Sequence, residues 1–289
     1  MAKRVATHRL EFEPAAIYEY PEHLRQYLAD LPNLPGVYIF HGESEVMPLY
    51  IGKSVNIRSR VMSHFRTPAE AKMLRQTKHI SWVTTAGELG ALLLEAQMIK
   101  NQQPLFNKRL RKNRQLCSLW LNDQRPAVVY AKELDFSSSP NLFGLFAHRR
   151  AAQDTLKKIA DEQQLCYGVL GLESVGAHRA CFRASLGRCA GACCGKESLE
   201  AHHQRLLAAL DRLRVVCWPY DGAIGLVEQG PMETQIHIIH SWFWLGSVTE
   251  IADAPTLVRT PKGFDSDGYK ILCRPVLSGK YPIIPLPTL

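Results

Sequence analysis

The fold of this 289-residue chain is decided by two stretches, Pro35-Gly36-Val37-Tyr38 and Leu49-Tyr50-Ile51-Gly52-Lys53. Each stretch combines β-branched and aromatic residues, which are typical of a β-strand, and turn-forming residues lie between them. The pattern therefore predicts a β-hairpin. Its two strands would bring the phenols of Tyr38 and Tyr50 close to the ammonium of Lys53, a combination that suits phosphate chemistry.

A helix with a basic side is predicted directly after the hairpin. Ser54 is a good N-cap residue, and an apolar stripe recurs every four residues at Ile57, Val61 and Phe65. The side chains that lie off this stripe are Arg58, Arg60 and His64. Strand, turn and basic helix are therefore expected to meet near Lys53.

A second predicted helix places one carboxylate at the border of a buried face. After a short strand at 80–83, residues 88–101 carry apolar side chains at helical spacing. Glu95 lies about 40° around this helix from Ile99, by the usual step of about 100° per residue. On geometry alone, the carboxylate either belongs to a site or reaches outward to a surface lysine or arginine.

The charge of the chain predicts an anionic partner. The formal net charge is +8 and the isoelectric point is about 9.1, which suits nucleic acid, a membrane surface or an acidic protein. A run of cations without an acid favours phosphate binding, with an ordinary basic loop as the alternative. Its members are Lys108, Arg109, Arg111, Lys112 and Arg114.

No segment of the sequence is suited to crossing a membrane. Its apolar runs fall short of the roughly 20 residues of a spanning helix, and its N-terminus lacks the apolar core of a signal peptide. We therefore expect a cytoplasmic protein with reduced cysteines. Clustering among its eight cysteines would then indicate a metal rather than disulfides.

Four motifs in fixed order resemble the GIY-YIG nuclease family. Besides the two stretches of the hairpin, they are Gly90-Ala91-Leu92-Leu93-Leu94-Glu95-Ala96-Gln97-Met98-Ile99-Lys100 and Gln103-Pro104-Leu105-Phe106-Asn107. The similarity is to the nuclease domain at the N-terminus of UvrC, the incising subunit of bacterial nucleotide excision repair. A later stretch, 181–193, is similar to the cysteine-bearing part of UvrC. The chain has no room for the remaining UvrC domains, so it resembles a shortened, stand-alone UvrC homologue.

The resemblance and the sequence pattern together imply an α+β protein of several parts. An N-terminal extension at 1–30 precedes the expected GIY-YIG domain at 31–115, a small three-stranded antiparallel sheet flanked by helices. A UvrC-like linker and a cysteine-bearing helical segment are expected at 116–198. The remainder, 199–289, is expected to be a small α+β region that contacts UvrB or DNA. Its pattern predicts a helix at 199–215 and strands at 223–228, 235–248 and 269–275.

The resemblance also implies the chemistry of the site. Glu95 matches the one carboxylate that binds Mg²⁺ or Mn²⁺, with waters and a phosphate oxygen as further ligands. Tyr50 matches the tyrosine that takes a proton from the attacking water, and Tyr38 matches its companion that hydrogen-bonds water or phosphate. Because a phenol with a pKa of about 10 is a weak base at neutral pH, Lys53 or the metal is expected to assist.

Other matching positions complete the implied site. Arg60 matches the arginine that clamps the scissile phosphate, and Asn107 matches a residue that supports the site through hydrogen bonds. His64 departs from the pattern, because UvrC carries a tyrosine there. A histidine can donate to phosphate or shuttle a proton, so we treat it as a secondary member. Taken singly, these residues also fit ordinary roles in a strand, on a surface helix or in a turn.

Four cysteines are candidates for a separate metal centre. Cys166, Cys181, Cys189 and Cys193 lack the paired Cys-x2-Cys spacing of common zinc sites. The matching cysteines of UvrC imply a [4Fe-4S] cluster. Zinc and reduced core cysteines remain the alternatives.

The resemblance implies a metal-dependent endonuclease of nucleotide excision repair that cuts damaged double-stranded DNA on the 3′ side of a lesion. UvrB, loaded by UvrA, is the expected protein partner of a monomeric chain. Arg58 and the run at 108–114 are the expected DNA contacts. The alternative is a DNA-binding or adaptor module that keeps the scaffold without cutting.

Overall fold

A computed structural model describes residues 19–44, 46–108, 116–122, 125–174, 176 and 179–287. They fall into two compact units. Unit 1 comprises the described residues up to 108 together with 228–235, and unit 2 comprises the described residues of 113–227 and 236–289. Among the described residues, no helix is long and apolar enough to cross a membrane.

The strands are β1 (Gly36–His41), β2 (Tyr50–Ser54), β3 (His79–Thr84), β4 (Cys117–Asn122), β5 (Arg125–Tyr130), β6 (Leu142–Phe146), β7 (Ile224–Gln229), β8 (Thr234–His240), β9 (Phe243–Val248) and β10 (Ile283–Pro285). The α-helices are α1 (Ile57–Phe65), α2 (Ala71–Gln76), α3 (Glu88–Gln102), α4 (Arg149–Glu162), α5 (Phe182–Ser185), α6 (Leu199–Leu210) and α7 (Ser266–Leu277). Short 3-10 helices lie at Glu22–Leu28, Pro68–Glu70, Ala192–Cys194, Asp211–Leu213 and Ile251–Thr256.

Unit 1 is built on an antiparallel sheet of order β2-β1-β3. Because side chains alternate across a strand, β1 supplies two cores. Tyr38 and Phe40 pack with the apolar side of α1, whereas Val37 and Ile39 pack with Ile99 of α3. Helices therefore cover both faces of the sheet, and the predicted three-stranded GIY-YIG arrangement is confirmed.

The N-cap of the helix after the hairpin lies two residues later in the chain than predicted. Asn56, not Ser54, is the N-cap of α1, and its side-chain oxygen accepts a hydrogen bond from the backbone N–H of Ser59 at 2.9 Å. Ser54 is the last residue of β2, and its hydroxyl bonds to the backbone of Asn56. The predicted cap was therefore wrong, because the serine stabilises the turn that leads into the helix.

The first part of unit 2 differs from the helical segment expected after the nuclease domain. An antiparallel sheet of order β5-β4-β6 packs against α4, and α6 joins the same core. Buried Leu119 and Phe143 of the sheet meet Leu156 of α4 and Leu206 of α6. Helix α6 agrees with the helix predicted at 199–215, although it ends at Leu210 and a 3-10 turn follows.

The last part of the chain forms a second antiparallel sheet, of order β10-β7-β8-β9. The predicted single strand at 235–248 was wrong, because the chain turns at Ser241 and Trp242, both with positive φ, and becomes two paired strands. The predicted strand at 269–275 was also wrong. Those residues lie in α7, which is capped by Asp265 and buries one side of the helix.

Candidate active site

The two phenols lie on one face of the sheet in unit 1. Tyr38 pairs with Gly52 across the strands, and Phe40 pairs with Tyr50, so the tyrosines are diagonal neighbours with ring centroids 6.2 Å apart. A Cβ atom at Gly52 would lie 2.3 Å from the Tyr38 hydroxyl and 2.8 Å from the Tyr50 ring. Gly52 is therefore needed because only a residue without a side chain leaves space for both phenols.

Burial makes both phenols harder to deprotonate than a free phenol. Tyr38 is fully buried, and its pKa is raised by burial and by Tyr50, against an opposing interaction with the Arg60 guanidinium. The pKa of Tyr50 is raised by burial and by the charge of Glu95. Neither phenol is poised as a free base, so a proton that one of them accepts must be passed on or stabilised.

A backbone N–H at the end of β2 binds the carboxylate of Glu95. Its Oε1 accepts a hydrogen bond from the backbone N–H of Lys53 at 3.0 Å, while the Lys53 Nζ donates to Glu88 at 2.7 Å. Burial raises the pKa of the Glu95 carboxyl, although the N–H and charge of Lys53 and the charge of Arg60 oppose this effect. A half-buried carboxylate whose orientation is fixed in this way suits one divalent cation.

Asn107 holds the other side of the hairpin strand. It is buried, its Oδ1 accepts from the Ile51 N–H at 2.9 Å, and its Nδ2 donates to the Ile51 carbonyl at 2.8 Å. The side-chain amide of Asn107 thus makes the same two hydrogen bonds to Ile51 that a neighbouring β-strand would make. This position suits the supporting role that the resemblance implied.

His64 is buried between a phenol and a carboxylate. Its Nε2 lies 2.6 Å from the Tyr38 hydroxyl, and its Nδ1 contacts the carboxylate of Glu70, which ends the short helix after α1. The ring centroid of Tyr50 lies 5.4 Å from that of His64. The sequence pattern gave no role to Glu70, because its only local signal is that it lies six residues after the histidine.

The expected DNA contacts are only partly described. Arg58 lies on α1, where its guanidinium is 3.4 Å from the Ala29 carbonyl, and Lys108 is exposed. The remaining cations of the basic run, Arg109, Arg111, Lys112 and Arg114, lie outside the described residues. The DNA contacts therefore stay predictions.

A residue from the distant end of the chain caps the helix that carries Glu95. Gly87 precedes α3 without a side-chain cap, and both oxygens of buried Glu228 accept hydrogen bonds at 2.8 Å from the N–H groups of Leu89 and Gly90. Such a carboxylate satisfies free donors at a helix N-terminus and favours its dipole. A Cβ at Gly87 would lie 2.4 Å from the Glu228 carboxylate, so the glycine leaves space for this contact.

The four predicted cysteines come together in unit 2. The sulfurs of Cys166, Cys181, Cys189 and Cys193 all lie within 4.8 Å of one another, and the first three side chains are buried. Four thiolates at this spacing can share one centre. For comparison, sulfurs bound to one zinc ion lie roughly 3.8 Å apart, since each Zn–S bond is about 2.3 Å.

Backbone groups orient these sulfurs. The N–H of Cys181 donates to the sulfur of Cys193, and the N–H of Gly191 donates to the sulfur of Cys189, both at 3.3 Å. Buried His202 accepts from the Cys166 N–H at 3.0 Å, and burial lowers the pKa of this histidine. N–H donors directed at sulfur, like those at Cys189 and Cys193, are typical of metal-binding thiolates.

The thiols differ in their tendency to lose a proton. Burial raises the pKa of Cys189 to about 12 and also raises that of Cys166. For Cys181, burial is outweighed by hydrogen bonds from the Ala184 N–H and the neighbouring thiols, and its pKa is lowered. Without a metal, the thiols therefore differ in how readily they ionise, whereas a bound metal would favour the thiolate form of all four.

Three family models match successive parts of the chain. The UvrC-like GIY-YIG domain matches residues 34–108, the UvrC/Cho excinuclease middle domain matches 108–212, and the excinuclease Cho C-terminal domain matches 223–289. Together they cover most of the sequence. The active-site candidates lie in the first match and the cysteine cluster lies in the second.

Individual relatives agree with these matches. The chain is 68% identical to excinuclease Cho of Escherichia coli K12 over 286 residues, which are 99% of this chain and 97% of the relative. It is 67% identical over 288 residues to excinuclease Cho of Salmonella typhi, covering 100% of this chain and 98% of the relative. UvrABC system protein C of Synechococcus sp. CC9311 is 35% identical over 202 residues, 66% of this chain and 30% of that protein.

A solved structure is similar to part of the chain. The GIY-YIG N-terminal endonuclease domain of UvrC from Thermotoga maritima, bound to magnesium, is 29% identical over 29% of this chain and 93% of that chain. The TM-score of this match is 0.26.

Proposed function

Because the chain belongs to the excinuclease Cho family of GIY-YIG endonucleases, we propose that it cuts one strand of damaged DNA on the 3′ side of a lesion. The cut would be made within nucleotide excision repair, on DNA that UvrA and UvrB have prepared. We further propose that the protein acts as a monomer in the cytoplasm, where the DNA lies.

One observation carries this proposal. Two phenols, a guanidinium and a half-buried carboxylate converge at the end of the hairpin in unit 1, and the Lys53 backbone ties that carboxylate to the strand of Tyr50. An adaptor that only bound DNA would have no need of a half-buried carboxylate whose pKa is raised.

The proposed roles follow from the contacts. Glu95 would hold one Mg²⁺ or Mn²⁺, which when bound would polarise the scissile phosphate. Arg60, which lies beside the Tyr38 hydroxyl, would place its fork of donors against the phosphate charge that develops during attack. Tyr50 would orient the attacking water and accept its proton. Asn107 would keep the strand of Tyr50 in register through its two bonds to Ile51.

Beyond the scissile phosphate, DNA and UvrB would also be contacted outside this cluster of side chains. The net charge of +8 favours DNA, and Lys108 and Arg58 lie on unit 1 as candidate phosphate contacts. We assign the contact with the UvrB–DNA complex to the C-terminal region, 199–289.

A nicking assay tests the enzymatic proposal. A duplex with a single lesion, labelled at one 5′ end, is incubated with UvrA, UvrB, ATP and Mg²⁺, and the chain is added last. We expect one nick 3′ to the lesion. Glu95→Ala should abolish it, whereas Glu43→Gln, an exposed carboxylate paired with Lys78, should nick normally. Failure of the wild-type chain to nick, or equal nicking by Glu95→Ala, would favour the adaptor instead.

We also propose that the four clustered cysteines hold a [4Fe-4S] cluster. The support is the approach of four sulfurs to within 4.8 Å and the N–H donors directed at two of them. A bound cluster would cross-link segments of unit 2 that are otherwise joined by turns and short helices. Nothing in the proposed nicking step requires it to change oxidation state.

Anaerobic purification tests the cluster. We expect a brown protein with about four irons and four sulfides per chain, as the formula of the cluster requires. Cys193→Ser should lose the iron, whereas Cys194→Ser, which changes the adjacent thiol outside the group, should keep it. A colourless protein with one zinc per chain would replace the cluster by a zinc site, and a metal-free protein would leave reduced core cysteines.

A further inference from the structure

The proposed function leaves one chemical problem at the active site. A buried phenol whose pKa is raised is a poor final acceptor for the proton of the attacking water. The two tyrosines can pass a proton along, but neither can keep it at neutral pH. The proton needs an acceptor behind the phenols, and the buried side of Tyr38 provides one.

The residue on that side of Tyr38 is His64. The Nε2 atom of His64 lies 2.6 Å from the Tyr38 hydroxyl, and the ring is 2% exposed. Its other nitrogen, Nδ1, contacts the carboxylate of Glu70. A carboxylate at Nδ1 favours the tautomer with a proton on that atom, which leaves the Nε2 lone pair free to accept a proton from Tyr38.

We propose that Tyr38, His64 and Glu70 form a proton relay behind the nuclease site, with Glu70 as a positioning residue. This inference rests on the proposed function. Tyr50 takes a proton from water while giving its own to Tyr38, and the Tyr38 proton moves to Nε2. The resulting hydroxide forms the new P–O bond, the bond to the leaving oxygen breaks with its electron pair, and solvent protonates that oxygen. The imidazolium is held beside the Glu70 carboxylate until it returns its proton to water.

The groups around the ring are consistent with this arrangement. Tyr38 and Tyr50 face it from two strands, Glu70 faces it from the helix after α1, and Arg60 lies on the same helix as His64. Glu70 is the acidic group in contact with the imidazole among the described residues. It therefore supplies the charge that stabilises the protonated ring, in the same way as the acid of a catalytic triad.

Nicking kinetics test the relay. Single-turnover rates are measured against pH with UvrA, UvrB and Mg²⁺ for the wild type and for Glu70→Gln, His64→Gln and the double variant. Glutamine at position 64 can hydrogen-bond but cannot accept a proton. We expect Glu70→Gln to lower the plateau rate roughly 10- to 100-fold and to move the acid limb to lower pH, because the protonated ring loses its partner.

The double variant separates the relay from a structural effect. In the His64→Gln background, Glu70→Gln should change the rate by less than about 2-fold, because no imidazolium remains to stabilise. An equal loss in both backgrounds, or an unmoved acid limb in Glu70→Gln, would overturn the relay and leave Glu70 a structural residue. Thermal unfolding confirms that each variant is folded.

A spectroscopic test does not depend on nicking. In protein labelled with ¹⁵N-histidine, we expect the His64 ring to carry its proton on Nδ1 and to have a bare Nε2, and the Nδ1 proton signal should shift in Glu70→Gln. A ring with its proton on Nε2 would overturn the relay even if the wild type nicks DNA. If the tautomer is as expected but the chain does not nick, the proposed function fails instead.

Discussion

The candidate active site and the cysteine cluster are held together in different ways. The active-site residues come from β1, β2, α1 and α3, and backbone bonds such as Lys53 N–H to Glu95 fix them. Of the four cysteines, Cys193 lies in a short 3-10 helix and the other three lie in loops, and local N–H donors are directed at the sulfurs. Regular elements can keep a site in place without its ligand, whereas loops need an additional cross-link.

The active site is expected to lower the stability of the fold, whereas a metal bound at the cysteines is expected to raise it. Charge buried at Glu95 opposes folding, because its raised pKa means that the folded state prefers the neutral acid. Bound metal at the cysteines would instead add its binding free energy to folding. Opposite signs of effect on stability are therefore expected when the two sites are altered.

The largest effect is expected from Glu95→Gln. Nicking should fall by about 10³-fold or more, because the cation loses its protein ligand. Stability without metal should rise. A carboxyl with a raised folded pKa stabilises the fold at acid pH and loses that contribution as pH rises through the pKa, so the neutral amide removes a cost at pH 7. Single-turnover nicking and thermal unfolding in EDTA measure the two effects.

Magnesium titration sharpens this prediction. Added Mg²⁺ should raise the unfolding temperature of the wild type and leave that of Glu95→Gln unchanged. A variant that is less stable than the wild type in EDTA would contradict the proposed cost of the buried charge. Glu43→Gln is the matched control, since it removes an exposed carboxylate from the same unit.

The next largest effect is expected from Cys193→Ser. Loss of one ligand should release the metal and lower the free energy of unfolding by on the order of 3 kcal/mol, a fraction of the roughly 10 kcal/mol that a structural metal can supply. Cys194→Ser should stay within about 1 kcal/mol of the wild type. Iron content and denaturant unfolding under nitrogen measure both. Equal stability of the two variants would mean that the cysteines form an ordinary core.

The sequence predicted the nuclease region better than the C-terminal part of the chain. Tyr38, Tyr50 and the apolar stripe of α3 carry strong local signals, so the GIY-YIG fold, the α+β class and the family resemblance are confirmed. The strand predicted at 269–275 is a helix, and its buried residues Tyr269, Leu272 and Val276 follow a helical period. The roles of the individual site residues and the domain boundaries stay predictions.

Two acidic residues show what local patterns cannot reveal. Glu228 binds N–H groups 139 and 138 residues earlier in the chain, and no spacing rule connects the two positions. Glu70 lies near His64 in sequence, but its role depends on the turn after α1 that directs its carboxylate to the ring. Contacts that depend on tertiary packing can therefore be identified only in the folded structure.

A smaller effect is expected from Glu228→Gln. The amide keeps one acceptor but places a donor against an N–H of α3 and removes the negative charge from the helix N-terminus. The free energy of unfolding should fall by about 1–2 kcal/mol. Because α3 carries Glu95, the Mg²⁺ concentration for half-maximal nicking should rise several-fold. Denaturant unfolding and a Mg²⁺ titration of nicking measure these changes.

Glu233→Gln is the matched control for the cap. Glu233 lies exposed on the same hairpin turn. Its replacement should change the free energy of unfolding by less than about 0.5 kcal/mol and the Mg²⁺ concentration for half-maximal nicking by less than about 2-fold. Matching losses in the two variants would show that the turn tolerates no change of charge, and the capping interpretation would then be wrong.

The smallest effect is expected from Glu88→Gln. Glu88 pairs with Lys53 at 2.7 Å, but the two side chains are 55% and 30% exposed, so water and salt screen the pair. Stability should change by less than about 0.5 kcal/mol. Nicking should stay within about 2-fold or rise, because the freed ammonium can reach a DNA phosphate while the Lys53 backbone still holds Glu95. A collapse of nicking would mean that the side chain of Lys53, rather than its N–H, keeps the active site in place.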